Sequence, residues 1–131
     1  MDRTLTIADV EGGVPAAVAR VEAALDRLGV TVFARIDHAA AARAVGLELP
    51  DEVVLVFGDP AVGTALMQDD PRVGIELPLR LLIWAEGGRT RVGYRDPRQL
   101  AVGSASASAA AVLEKLHGLL GRLVREAAGS G

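Results

Sequence analysis

Residues 53–57 read VVLVF, residues 80–86 read RLLIWAE, and residues 90–95 read TRVGYR across a Gly87–Gly88 step. These three runs decide the fold. The first is apolar at every position, so both of its alternating faces are oily. Such a strand is expected inside a sheet and covered on both sides, by helices of its own chain or by a partner. Two glycines between alternating runs are the strongest hairpin signal in the chain, because a two-residue type I′ turn needs positive φ at both central positions. On the first arm Leu81, Ile83 and Ala85 share one face and Leu82 and Trp84 the other. On the second, Val92 and Tyr94 stand opposite Arg91, Gly93 and Arg95.

Upstream, residues 30–36 form a further strand, with Val32, Ala34 and Ile36 pointing one way and Thr31, Phe33 and Arg35 the other. Thr4 to Ala8 is a short first strand. Between them Val14, Val18, Val21, Leu25 and Leu28 recur at spacings of four and three, one apolar stripe on a helix over 14–28. Arg20, Glu22, Asp26 and Arg27 face away from that stripe, and Gly29 closes the helix. Asp37 caps an Ala-rich helix that Gly46 ends. Asp59–Pro60, Asp70–Pro71 and Asp96–Pro97 each open a helical segment, since Asp accepts from free amides and Pro tolerates the first turn. Ala61, Leu66 and Met67 supply the apolar side of the segment after Asp59. Val112, Leu113, Leu116, Leu119, Leu120 and Leu123 mark a long helix over 107–127. The expected class is α+β, in the order β-α-β-α-β-α-β-β-α. It is a curved, mostly antiparallel sheet of about five strands with two long helices on one face. One domain is expected over 1–127, with 128–131 a flexible tail.

The chain has 131 residues, enough to bury about two-thirds of its surface around one core. Half of it is hydrophobic but only 3% is aromatic, so Val, Leu, Ile and Ala must build that core. The net charge is −3 with arginines scattered, and no basic face suited to nucleic acid is visible. There is no cysteine, which removes thiol nucleophiles and thiolate metal sites. No apolar run reaches the roughly 20 residues of a membrane span, and residues 1–13 lack a leader pattern. A soluble, cytoplasmic protein without membrane contact is the expectation.

The segments from Gly29 to His38, Phe57 to Pro60, Gly63 to Met67 and Leu77 to Leu79, then Trp84, and finally Tyr94 to Pro97, form a recognisable series. It resembles the bacterial family called domain of unknown function 302. Asp59 stands where that family commonly has Asn, and Ala65 where it commonly has Pro. The resemblance implies a TATA-binding-protein-like sheet with helices on one face. It brings no DNA-binding role and no agreed activity.

Among single residues, His38 is the candidate general acid or base, because it follows a strand end and titrates near neutrality. Asp59, Thr64 and Tyr94 are its candidate helpers. Asp37, Asp59, Asp70 and Asp96 share a context that capping explains better than an acidic cluster. His117 reads as a half-buried packing residue, and His38 and His117 have no metal-ligand spacing, so neither metal nor cofactor is expected. The glycines of GDPAVGT lack a phosphate-loop ending. The preferred reading is a non-enzymatic, homodimeric small-molecule-binding or interaction module, any ligand being apolar, with His38, Asp59, Thr64, Met67, Gln68, Trp84 and Tyr94 as candidate ligand contacts. The alternative is an enzyme using His38 in a cleft.

Overall fold

A computed structural model describes residues 4–100 and 107–129. The expectations that touch residues 1–3, 101–106 and 130–131 fall outside the described residues. The elements run β1 (Thr6–Val10), α1 (Gly13–Arg27), β2 (Thr31–Asp37), α2 (His38–Ala44), β3 (Glu52–Gly58) and α3 (Pro60–Asp69). A short 3₁₀ turn (Pro71–Ile75) then leads to β4 (Leu79–Glu86), β5 (Arg89–Tyr94), a second 3₁₀ turn (Pro97–Leu100) and α4 (Ala107–Ala127). This is the expected order, with β1 two residues later than its alternation suggested.

The five strands form one sheet in the order β1-β5-β4-β3-β2, and every pairing is antiparallel. The β4–β5 turn pairs Glu86 with Arg89, and Gly87 and Gly88 take φ of 58° and 78°, the geometry of a two-residue type I′ hairpin. All four aspartates act as caps: Asp37 accepts from the Ala40 amide, Asp59 from Ala61, Asp70 from Arg72 and Asp96 from Arg98. The helix ends owe their placement to these local bonds.

One face of the sheet carries the core. Val53, Leu55 and Phe57 of β3, Leu81 and Ile83 of β4, and Val92 and Tyr94 of β5 pack under Val14, Val18, Val21 and Leu25 of α1. Leu120, Leu123 and Ala127 of α4 complete the layer. A smaller cluster of Leu66, Val73 and Leu113 joins α3 and the first 3₁₀ turn to α4. Of the residues expected on the apolar side of α3, Leu66 is buried while Met67 is 37% exposed.

Two expectations need correction. A β-bulge interrupts β2, where Val32 pairs with Phe57 but Ala34 pairs with Val56. Phe33 is the extra residue, so Val32 does not share a face with Ala34 and Ile36. Leu28, expected at the end of the apolar stripe, is the residue past the end of α1 and is 37% exposed, while the charged residues lie off the stripe as expected and make bonds of their own. Arg20 donates to the Ala127 carbonyl at the end of α4, Arg27 pairs with Glu126, and Glu22 pairs with Arg35 of β2.

Candidate binding surfaces

The second face of the sheet is open. Register lines its side chains up in rows across the strands. One row reads Ile7, Gly93, Leu82, Val54 and Ile36, from β1 to β2. Val54 and Leu82 are half-buried, whereas Ile7 and Ile36 are 41% and 43% exposed. The β3 strand is therefore covered on one side by its own helices and left bare on the other. A groove of about 590 Å³ opens on this face and continues past the sheet end, where Leu79, Tyr94 and Leu120 of the core side also line it. Ile36, Val54, Val56 and Leu82 form its floor, and Glu76, Arg80, Arg95 and His38 stand around it.

A second cavity of about 400 Å³ lies at the helix side, between α3, α4 and the ends of β2 and β3, and adjoins the groove at Leu77, Pro78 and Leu79. Phe33, Met67, Leu77, Leu116 and Leu119 make most of its wall, and Asp59, Thr64 and Lys115 bring polar groups to it. The bulge at Phe33 serves this cavity: a side chain added at Gly58 would meet the Phe33 ring at 3.8 Å and Pro78 at 3.7 Å. Gly63 opens the α3 wall, where an added Cβ would lie 3.6 Å from Leu77 and 3.8 Å from Met67.

The seven candidate residues thus fall in several places. Asp59, Thr64 and Met67 line the helix-side cavity, and His38 and Tyr94 border the groove. Gln68 lines a shallower depression with Ser108 and Val112. His38 is exposed as the first residue of α2, and no hydrogen bond among the described residues joins it to Asp59, Thr64 or Tyr94. Trp84 is committed elsewhere. Its ring packs over Gly93, where an added Cβ would lie 3.1 Å from the ring, and its indole N–H donates to Glu86 at 3.0 Å. Arg91 stacks 6.0 Å from the Trp84 ring and binds Asp9 and Glu86. These bonds hold the Glu86 carboxyl below its usual range, the indole N–H first and Arg91 second.

Tyr94 faces the core, on the other side of the sheet from Trp84, with its ring edge-on to His117 at 6.5 Å. His117 is half-buried as expected, yet its Nδ1 lies 3.6 Å from Asp96 and has no hydrogen-bond partner among the described residues. Asp96 is gripped by Arg98 through Nε and Nη2. Hydrogen bonds from the Arg98 side chain outweigh partial burial and, with the Arg98 amide, hold the Asp96 carboxyl down to about 2 from the ordinary 3.8; the Arg98 charge and His117 add to the effect. Capping was legible at Asp96, but its meeting with His117 was not, because 21 residues of chain separate them. Stability tied to Asp96 is present above pH 4 and is lost as pH falls from about 4 towards 2. Thermal melts of Asp96→Asn across pH 2–7 are expected to show a lower melting temperature at neutral pH and a flatter acid limb. An acid limb identical to wild type would mean the carboxylate adds nothing.

A five-stranded antiparallel sheet with helices packed on one side defines an α+β domain. The chain belongs to the family described as Domain of unknown function DUF302, whose model matches residues 7–123. A crystal structure of an uncharacterized conserved DUF302 protein from Bacillus stearothermophilus superposes with a TM-score of 0.83 at 20% identity. It covers 96% of this chain and 99% of that one, a likeness of fold. The chain is also 38% identical over 102 residues to fluoride-specific ion channel FluC 1 of Brucella suis, 77% of this chain and 40% of that protein. It matches fluoride-specific ion channel FluC 2 of Brucella melitensis at the same identity, over 38% of that protein. The chain spans about two-fifths of the length of these curated relatives. Among the described residues, no helix is long and apolar enough to cross a membrane.

Proposed function

We propose that this domain is a non-catalytic module that binds an apolar small molecule in the helix-side cavity. The observation that carries the reading is the composition of that cavity. About 400 Å³ is walled mainly by aromatic, aliphatic and methionine side chains, with a few polar groups from Asp59, Thr64 and Lys115. Ligand sites are typically of this size and make-up, the apolar wall supplying affinity and sparse polar groups fixing orientation. Three residues singled out from sequence, Asp59, Thr64 and Met67, meet there.

The Brucella relatives bear on the context in which such a module works. Fluoride passage needs a path across a membrane, and the described residues hold no helix suited to that. We read the shared stretch as an accessory to conduction in those proteins, and this chain as a ligand-responsive domain of the same kind.

Native mass spectrometry of the purified chain tests the reading. A reproducible added mass is expected, and Gly63→Leu, which sends a side chain towards Leu77 and Met67, is expected to lower its occupancy at least tenfold while the fold is kept. Retention of the adduct in a folded Gly63→Leu protein would place the ligand elsewhere. The same spectra read the homodimer expected from sequence.

A further inference from the structure

On the open sheet face, β4 and β5 pair Leu82 with Gly93. Arg80, on the same face, and Arg95, just past the end of β5, both line the groove. Two like charges around one groove repel each other unless an anion lies between them. Neither arginine has an ion pair among the described residues, a state shared by Arg43 and Arg125, which do not line the groove; Arg27, Arg35, Arg72, Arg89, Arg91, Arg98 and Arg122 are paired. Next to this positive pair lies an uncharged floor of Leu82, Val54, Val56 and Ile36.

We propose that the groove is a second site, for a medium-chain carboxylate: the carboxylate between Arg80 and Arg95, the alkyl chain laid across β4 and β3 towards β2. Two guanidinium groups supply paired donors matched to a carboxylate. Strands lie about 4.8 Å apart and rise about 3.3 Å per residue, so the path from Arg80 on β4 to Ile36, two strands across and two residues along, is about 12 Å, the length of roughly nine methylenes. Glu76 also lines the groove and opposes an anion, but it pairs with neither arginine and the two of them outnumber it. His38 stands among the lining residues beyond the charged pair. The groove adjoins the helix-side cavity at Leu77, Pro78 and Leu79, but Arg80 and Arg95 line the groove and not that cavity.

Trp84 provides the readout, because it is the only tryptophan and packs on Gly93, which lines the groove. Decanoate is expected to change its emission saturably. Arg80→Gln with Arg95→Gln is expected to weaken decanoate at least tenfold while leaving the thermal melt near wild type, since both side chains are exposed. Decyltrimethylammonium should bind no better to wild type than to that variant. Equal decanoate affinity with and without the arginines overturns the proposal. So does a dimer that Leu82→Asp abolishes and that gives no decanoate signal, because the face then belongs to a second copy of the chain.

Discussion

Phe57→Ala is expected to lower the stability of this domain by about 3–5 kcal/mol, the usual cost of emptying an aromatic site in a core. Phe57 is wholly buried, pairing with Leu79 on one neighbouring strand and Val32 on the other. The loss is large against a total of about 5–15 kcal/mol for a domain. Urea unfolding followed by circular dichroism measures it as a shift in midpoint at constant slope. A loss under about 1 kcal/mol would mean that the site collapses around the missing ring. Val54→Ala, on the same strand but facing the groove, is the informative companion. Val54 is only half-buried, so its truncation should cost well under the loss at Phe57. If the two cost the same, the open face is covered in solution, by a ligand or by a second copy.

Arg20→Met should cost about 2–3 kcal/mol, more than a surface arginine normally does, because charged donors to backbone carbonyls are worth about 1.5–3 kcal/mol. Its guanidinium reaches the Ala127 carbonyl at 2.9 Å through Nε and 2.6 Å through Nη2, and the Glu11 carbonyl at 2.6 Å. The last carbonyls of a helix have no partner within it, so Arg20 completes the end of α4 from α1. Methionine keeps the apolar stem and removes the donors. Hydrogen exchange should then show lost protection around residues 124–128, with α1 unchanged. Unchanged protection there would show that water serves those carbonyls as well. Arg27→Ala is the control: its pair with Glu126 is 58% exposed on the arginine side and should be worth no more than about 1 kcal/mol.

Much of the fold was legible in local pattern. The doubly apolar β3, the Gly87–Gly88 hairpin and the four Asp caps follow from residue types acting on their own neighbours. The β2 bulge was not legible, because alternation in VTVFARI is intact and only pairing with β3 makes Phe33 the extra residue. The helix-side cavity was half legible. Asp59, Thr64 and Met67 lie close together in sequence, but Phe33, Lys115 and Leu116 join them from β2 and α4. Trp84 looked free for a ligand, and only the register of β4 on β5 shows that it fills the space left at Gly93.

By itself the sequence determined the elements, their order, where each helix starts, and which strand is oily on both sides, since propensity, capping and turn chemistry are settled within a few residues. Tertiary structure alone decided which side of that strand the helices cover. It also decided that Arg80 and Arg95 line one groove, that Arg20 closes α4, and that Asp96 meets His117. Those outcomes depend on strand register and helix packing, which bring together side chains that no local pattern connects.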